Sequence, residues 1–241
     1  MDRVLVNALY GPYLSLVFLP CRQVFNNKLN VMPFDSFQHF AVMQGRPHEI
    51  WARTFSSTLK DDLAYAPSDC FETFPFPPSL ESDATLESAG RDYYDFRAHL
   101  MVSSNEGLTK TYNRFHDPDE RSPDILKLRE LHAAMDRAVL DAYGWTDLKP
   151  TCEFLLDYEE DEDDEDEAGG KKSKKKKPWR YRWPDDFRDE VLARLLELNR
   201  QRAEEERLSG AGAEKSRAPS KKRKSTRRAL PKNEPKLPGF H

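Results

Sequence analysis

The sequence predicts an α+β fold in which a small, partial β-rich domain precedes a helical C-terminal domain, with a charged linker and a charged tail. Three observations predict it. Short apolar runs broken by turn residues lie near the N-terminus, apolar residues recur at helical spacing from about residue 86, and blocks of like charge follow residue 156. Because 33% of the residues are charged and many stand in blocks, the ordered part is expected to be shorter than the chain.

The β-rich part is predicted from short apolar runs in the first 31 residues. Residues 14–19 form one run, and residues 23–25 and 29–31 form two shorter ones. Pro20 and the sequence Asn26-Asn27-Lys28 separate these runs, as turn residues do. We therefore expect a small sheet here.

The pattern then changes to helical spacing. Asp35 or Ser36 is expected to cap a helix, which Gly45-Arg46-Pro47 interrupts, and Pro47 is expected to open a second helix. A polar loop is predicted over residues 56–62. Residues 69–74 alternate aromatic and polar side chains before a run of prolines, which predicts a strand followed by a stiff linker.

The helical domain is predicted from apolar residues at helical spacing. They recur over residues 86–101, 108–115 and 122–143. The third segment begins with Ser122-Pro123 and is followed by Gly144, residues that favour the start and the end of a helix. A further helix is expected from Asp185 to about residue 208.

Charged, low-complexity sequence surrounds that last helix. Residues 157–167 are almost wholly acidic, residues 171–177 are almost wholly lysine, and residues 215–236 are basic. Such segments bury too little apolar surface to offset the entropy of the chain, so we expect disorder in this linker and tail. The aromatic segment Trp179-Arg180-Tyr181-Arg182-Trp183 is expected to anchor the helix to the domain or to stack on bases.

The spacing of the cysteines and the hydropathy indicate the cellular compartment of the protein. Cys21, Cys70 and Cys152 lie far apart and lack the spacing of zinc ligands or of a disulfide framework. The apolar run at residues 14–19 is too short to span a bilayer. We therefore expect a cytoplasmic protein that does not associate with a membrane.

Six segments occur in the same order in one known family. They are HEIWAR (48–53), KDDL (60–63), PSDCFETFPFP (67–77), NEGLTKTYN (105–113), LHAAMDRAV (131–139) and AYGW (142–145). Together they resemble the MmeI-like, type IIL-like DNA methyltransferases, which are restriction–modification and phage-defence proteins that methylate adenine at N6. The resemblance extends from about residue 14 to about residue 208.

The resemblance implies a domain organisation. In that family a methyltransferase domain precedes a target-recognition domain and a small helical domain, and this chain aligns only with the end. The implied segments are the C-terminal part of the target-recognition domain (1–78), the helical C-terminal domain (79–150), an acidic and lysine-rich disordered linker (151–178), an aromatic segment with a helix (179–208) and a basic disordered tail (209–241).

The methyltransferase motifs of the family are not found in the sequence. An amino-methyltransferase needs a Gly-rich cofactor loop and an Asn- or Asp-Pro-Pro-aromatic motif that holds the flipped adenine. Pro77-Pro78 lies between Phe76 and Ser79 and does not match that motif. We therefore expect no catalytic residue and no cofactor-binding residue in this chain, whereas the full-length family uses S-adenosylmethionine. Either the gene is truncated or the catalytic half lies on another chain.

A nuclease or metal site is also not expected. Pro123-Asp124 followed by Asp147-Leu148-Lys149 matches the pattern of one nuclease superfamily, but Asp124 is predicted to open a helix and Asp147 to follow a helix end. The six histidines contain no i, i+4 metal pair. His48, His116 and His132 are predicted to be polar partners within the fold.

The candidate DNA contacts follow from the resemblance and from side-chain chemistry. Arginine and lysine can bind guanine or phosphate, and aspartate can accept a hydrogen bond from cytosine. The candidates are Arg46, Arg53, Ser57, Lys60, Asp61 and Asp62. The alternative is a solvated loop of mixed charge that binds nothing.

These observations predict a DNA-recognition and support fragment of an S-adenosylmethionine-dependent N6-adenine methyltransferase. Double-stranded DNA and a separate methyltransferase or restriction chain are the implied partners. One alternative is a free-standing DNA- or protein-binding module or a truncated gene remnant; another is an enzyme of a different class. Methyl transfer by the chain alone would contradict the leading interpretation.

Overall fold

The computed structural model describes residues 1–59, 62–156 and 178–209, and it describes only the backbone of residues 57–59 and 62. The strands are β1 (Arg3–Ala8), β2 (Tyr10–Gly11), β3 (Leu16–Pro20), β4 (Leu29–Met32), β5 (Ser57–Leu59), β6 (Asp62–Ala64), β7 (Glu153–Leu156) and β8 (Trp179–Arg182). The α-helices are α1 (Phe37–Gln44), α2 (Arg46–Phe55), α3 (Pro67–Cys70), α4 (Ala84–Ser104), α5 (Leu108–Phe115), α6 (Pro123–Ala142) and α7 (Asp185–Leu208). These small antiparallel sheets and packed helices confirm the α+β class.

The chain divides into residues 1–202, which form one compact unit, and residues 203–241. The apolar core of the first unit includes Leu5, Trp51, Leu86 and Val139, so it continues across residue 78. The domain boundaries expected from the resemblance stay predictions. Most of the predicted linker and tail lies outside the described residues, but β7 occupies residues that had been assigned to the linker.

The first sheet has the order β3-β1-β4, with all neighbours antiparallel. Val6 lies opposite Val17 on β3 and Val31 on β4. Two of the three predicted runs are strands, β3 and β4. The third, residues 23–25, was wrongly predicted, because β1 pairs along both edges with β3 and β4, and Val24 is left fully exposed. The sequence analysis had not predicted β1.

The predicted break in the first helical segment is confirmed. The Ser36 hydroxyl accepts a hydrogen bond from the His39 N–H, so Ser36 caps α1. Gly45 ends α1, where its N–H donates to the Ala41 carbonyl over 2.9 Å, and Pro47 lies in the first turn of α2. Gly45 therefore redirects the chain between two short helices.

Two expectations for residues 56–78 are wrong. The predicted polar loop is largely a β-hairpin, since β5 pairs with β6 and β6 also pairs with β2. The predicted strand over residues 69–74 begins with the single helical turn α3 and continues as a turn. Pro67 favours that helical start because its missing N–H would have no partner in a first turn. Three-residue strands and one-turn helices are too short to show a clear hydrophobic period in the sequence, which is why the sequence analysis missed both.

The helices beyond residue 80 confirm the predictions. Observed α4, α5, α6 and α7 match the four expected segments, and Gly144 follows α6 with a φ of 79°. A positive φ favours glycine, which explains why the helix ends there.

Helices α1 and α4 approach each other closely at Gly90. A Cβ built on Gly90 would collide with the Phe37 carbonyl oxygen and would lie 3.1 Å from the Ala41 Cβ. Both of these neighbours belong to α1, so only a residue without a side chain allows this packing.

Replacing Gly90 with alanine is therefore expected to destabilise the protein by about 1–3 kcal/mol through overpacking. Helix propensity alone would have the opposite effect and stabilise the alanine form by up to ~1 kcal/mol, because alanine favours a helix more than glycine does. The measurement is urea unfolding of both forms. Ser88→Ala, on an exposed position of the same helix, is the control and should leave stability unchanged or raise it. A stabilised Gly90→Ala protein would contradict the described packing of α1 on α4.

A buried arginine joins the helical part to the first sheet. Arg97 on α4 is 2% exposed and donates to the Leu16 carbonyl over 2.6 Å, to the Gln44 side chain over 3.2 Å and to the Tyr112 hydroxyl over 2.8 Å. Gln44 also bonds to the Leu16 N–H and the Leu14 carbonyl, both over 2.9 Å. This network fixes the start of β3 against α1 and α4.

Among the described residues, no helix combines the length and the apolar character needed to cross a membrane.

Candidate functional site

The predicted contact region begins at the C-terminal half of α2. Arg53 lies there, four residues before Ser57, the first residue of the β5–β6 hairpin. Its Nε donates to the Glu49 carboxylate over 3.0 Å, and its Nη2 donates to the Pro12 carbonyl over 3.3 Å. The side chain is 18% exposed, so Arg53 is held in place while part of it reaches solvent.

The other predicted contacts divide into two groups. Ser57 and Asp62 lie on the paired strands of the hairpin, at positions where only the backbone is described. Lys60 and Asp61, which connect those strands, lie outside the described residues. Contact of Ser57, Lys60, Asp61 and Asp62 with DNA stays a prediction.

Arg46 has a different environment from Arg53. It is 4% exposed, and its guanidinium forms an ion pair with the Asp136 carboxylate on α6. Its Nη1 also lies 2.7 Å from His132 Nδ1, and its Nη2 donates to the Tyr181 carbonyl over 3.1 Å. These contacts join the start of α2 to α6 and β8. They indicate a structural role, and no observation tests whether Arg46 also touches DNA.

A pocket lies beside Arg53, between α2, the residue that follows α5, and the segment from β8 into α7. Five arginines line it, together with Glu49 and His116. The five are Arg46, Arg53, Arg180, Arg182 and Arg188. We call the pocket that they line the arginine pocket. They come from parts of the chain more than 120 residues apart, and the fold brings them together.

Tyr13 packs against two residues that line the arginine pocket, Arg180 and His116. The Arg180 guanidinium lies 4.8 Å from the centre of the Tyr13 ring, and Tyr13 stacks on His116 with ring centres 5.0 Å apart. The Tyr13 hydroxyl donates to the Asn113 side chain over 2.7 Å. Arg180 is only 5% exposed. The stack therefore fixes Arg180 in one position.

His116 is neutral in this pocket. Burial lowers its pKa well below 6.5, and the positive charges of Arg180, Arg46 and Arg53 lower it further. Its Nδ1 lies 3.0 Å from the Tyr181 N–H and accepts a hydrogen bond from it. In the neutral ring the proton is then on Nε2, which can donate a hydrogen bond.

The start of α7 lines the arginine pocket with Arg188. The Asp185 carboxylate accepts hydrogen bonds from Arg182 over 2.7 Å and from Arg188 over 2.9 Å, and Arg188 also pairs with Asp189. The arginine side chains are 14% and 23% exposed, whereas the two aspartates are 56% and 62% exposed. The arginines thus lie deeper than their acidic partners.

The aromatic segment around β8 anchors α7. Trp183 is 2% exposed and meets Phe187 edge to face at 4.9 Å between ring centres, and Tyr181 packs against Phe115 and Phe154. Trp179 differs, with 42% of its surface exposed. Of the two roles expected for this segment, anchoring is confirmed for Trp183.

The nuclease-like residues are in structural positions. Pro123 and Asp124 form the first turn of α6, and Asp147 accepts two hydrogen bonds from Arg194, over 2.9 and 2.7 Å. Within the described part of the chain, no three histidine, cysteine or acidic residues are grouped so that they could hold a metal ion.

The histidines expected to be polar partners are confirmed in that role. His48 lies with Nδ1 2.8 Å from the Met43 carbonyl and Nε2 3.1 Å from the Tyr65 hydroxyl, and burial lowers its pKa to about 4. His132 lies beside Asp136, with 3.2 Å between His132 Nδ1 and the carboxylate. Both rings belong to the buried polar interior.

Sequence reasoning had not identified Tyr13, His116 and Arg188 as members of one site. They lie on a loop, after α5 and on α7, and no local pattern connects them. Arg180 and Arg182 could have been paired, since alternate residues of a strand share a face. Their association with Arg53 depends on tertiary packing.

The comparisons with known proteins give one family match and one structural similarity. Residues 8–78 match the family described as MmeI, target recognition domain, so this segment is similar to that domain. No curated protein matches the chain. A solved structure of the type IIL restriction-modification enzyme MmeI in complex with DNA is similar, with a TM-score of 0.49 and 21% identity. The similarity covers 60% of this chain and 19% of that one.

Proposed function

We propose that this chain is a DNA-recognition and support module of an S-adenosylmethionine-dependent N6-adenine DNA methyltransferase, in a restriction–modification or phage-defence system. The match of residues 8–78 to the MmeI target-recognition domain carries the proposal. The catalytic and cofactor-binding motifs would lie outside this chain. The sequence lacks the Gly-rich loop and the Pro-Pro-aromatic motif that an amino-methyltransferase needs, which supports that assignment.

Helix α2 is well placed to support the hairpin that we propose reads the DNA bases. The helix is fixed by Trp51, which is 2% exposed and donates from its indole nitrogen to the Thr73 hydroxyl over 3.1 Å. It leads directly into the β5–β6 hairpin, which carries Ser57 and Asp62. A rigid helix before a short hairpin would give the hairpin a fixed point of attachment.

The candidate contacts have distinct proposed roles. Lys60, Asp61 and Asp62 at the hairpin would read base edges, where lysine binds guanine and aspartate accepts from cytosine. Arg53 would bind DNA beside them. Arg46 would act indirectly, by holding the start of α2 to α6 through Asp136.

The partner of this module would be double-stranded DNA, and a separate methyltransferase or restriction chain would supply catalysis. The helices α4 and α6 would support the recognition segment, since the Arg97 network joins α4 to β3. The place of action would be the cytoplasm.

The test begins with the full chain and a pool of duplexes with random sequence. Repeated selection on the protein is expected to enrich one short motif. Incubation of the chain with that motif and S-adenosylmethionine is expected to transfer no methyl group. Methyl transfer by the chain alone would overturn the non-catalytic part of the proposal, and a pool without enrichment would overturn recognition.

The hairpin residues can then be tested with the selected duplex. Lys60→Ala and Asp61→Ala are each expected to weaken its binding by about 10-fold or more, since a good base contact contributes ~1–3 kcal/mol of discrimination. Their effect on duplexes of unrelated sequence should be smaller. Lys127→Ala, which removes an exposed lysine of α6, is the control. Fluorescence anisotropy measures all three. Unchanged sequence preference in both hairpin variants would assign recognition to other residues.

A further inference from the structure

We propose that the ring of Tyr10 contacts the C5 edge of a pyrimidine base in the major groove of DNA. The contact would lie on the same face of the β2-β6-β5 sheet as the candidate positions Ser57 and Asp62. The inference rests on the proposed function and deepens it. It adds a residue that the sequence analysis had not named, and it assigns base reading to one face of one sheet.

The register of the three strands defines that face. Tyr10 on β2 lies opposite Ala64 on β6, and Ser57 on β5 lies opposite the same alanine. Residues directly opposite each other in antiparallel strands share a face, and successive residues of a strand alternate between faces. Tyr10, Ala64 and Ser57 therefore share a face, which we call the outer face. Asp62 precedes Ala64 by two residues, so its position is on the outer face as well.

The opposite face of this sheet packs against the protein. Leu63 on β6 lies opposite Gly11 on β2 and Thr58 on β5, so these three residues form the next row, on the other face. Leu63 is 4% exposed and belongs to the apolar core. The core thus covers the face that carries Leu63, and a ligand of the hairpin would approach the outer face.

Tyr10 is the prominent side chain of the outer face. It is 50% exposed, whereas the smaller Ala64 beside it is 9% exposed. Within the described parts of the chain, the Tyr10 side chain forms no hydrogen bond and no ring contact. Its ring and its hydroxyl group are therefore both open to a ligand. Tyrosine often has this role at binding surfaces, because it combines a large apolar ring with a polar group.

Double-stranded DNA is the ligand that we assign to this face. Residues 8–78, which match the MmeI target recognition domain, include all three strands of the sheet. The major groove of B-DNA is wide enough for a two-stranded β-ribbon, which is the arrangement of β5 and β6. The apolar part of that groove is the C5 edge of the pyrimidines, where thymine carries its methyl group, and an aromatic ring can contact it. Tyr10 would thus extend the base contacts of the hairpin to β2.

The first test measures binding of the selected duplex by the full chain. Tyr10→Ala is expected to weaken this binding by about 10-fold or more, as for the loss of a good base contact. Tyr10→Phe keeps the ring and should weaken it less. Because tyrosine carries no charge, the salt dependence of binding should stay the same in both variants. Val102→Ala, which shortens an exposed apolar side chain on α4, is the control and should bind normally.

The second test detects the contact itself. Each pyrimidine of the selected duplex is replaced in turn with its 5-iodo analogue, which carries iodine at the position of the thymine methyl group. Ultraviolet light then joins the base to an aromatic ring in contact with it. Mass spectrometry of the digested complex is expected to find Tyr10 cross-linked to one base. The unsubstituted chain is used, so this test remains informative if Tyr10→Ala is unstable.

The outcomes separate this inference from the proposed function. Enrichment of a motif, followed by unchanged binding in Tyr10→Ala or by cross-links on other residues alone, overturns the Tyr10 contact and leaves the proposed function standing. Equal losses in Tyr10→Ala and Tyr10→Phe overturn the ring contact, because they assign the effect to the hydroxyl group. An equal loss for the selected and an unrelated duplex also overturns it, since a base contact depends on sequence. A pool without enrichment overturns both proposals.

Discussion

Replacing Asp136 with asparagine is expected to lower the free energy of unfolding by about 3–5 kcal/mol, the usual cost of removing one partner of a buried ion pair. Asp136 is fully buried on α6, and its two carboxylate oxygens bind the Arg46 guanidinium and the Arg46 backbone N–H. Without the aspartate charge, Arg46 remains almost fully buried without its carboxylate partner. Urea unfolding at pH 7 measures the effect.

The pH dependence of this effect has a defined sign. Burial alone would raise the pKa of Asp136, but the neighbouring His132 and Arg46 outweigh it and hold the pKa below its ordinary value of 3.8. The ionised form is thus favoured in the folded state. Its contribution to stability is present above the unfolded pKa and is lost as the pH falls through the lower, folded pKa. The stability difference between Asp136→Asn and the unsubstituted chain should therefore shrink in acid below about pH 4.

An exposed pair of the same chemistry provides the control. Glu87 and Arg91 form an i, i+4 ion pair on α4 with side chains 30% and 52% exposed. Glu87→Gln should cost less than about 1 kcal/mol of folding stability, because water already solvates both charges.

The double variant Arg46→Met, Asp136→Leu should recover most of the stability that Asp136→Asn loses, since it removes both buried charges. A cost for Asp136→Asn as small as that for Glu87→Gln would contradict the buried pair.

The parts of the fold that the sequence predicts are those with local causes. The limits of α5 and α6 follow from apolar spacing and from residues such as Pro123 and Gly144, which act on their own neighbours in the chain. Strand β1 carries a short apolar run, Val4-Leu5-Val6, that the sequence analysis had not used, and its place at the centre of the sheet depends on pairing with both β3 and β4. Hairpin β5–β6 likewise depends on pairing with the distant β2.

The candidate site was predictable only in part, for the same reason. Arg53 was named as a DNA contact from the family resemblance and from its side-chain chemistry, and that contact stays a prediction. Arg46 was predicted from the same segment, yet its environment depends on Asp136, 90 residues away in the chain. The arginine pocket requires Arg180 and Arg188 to meet α2. Side-chain burial and long-range pairing of this kind leave no periodic signal in a single sequence.

Replacing Trp183 with alanine is expected to cost about 3–5 kcal/mol, as for other large aromatic residues removed from a core. Trp183 lies between β8 and α7 and is 2% exposed, in edge-to-face contact with Phe187. Its loss would leave a cavity under the start of α7 and weaken the attachment of both elements. Urea unfolding measures the global effect, and amide hydrogen exchange should show the largest loss of protection in β8 and the first turns of α7.

Trp179 is the matched control, because it lies in the adjoining strand β8 but is 42% exposed. Trp179→Ala removes the same side chain from a position that buries much less apolar surface, so its cost should be well below that of Trp183→Ala. Since Arg180 and Arg182 lie between the two tryptophans, loss of the Trp183 anchor should also displace these two arginines. Equal stability costs for the two variants would contradict the anchoring role.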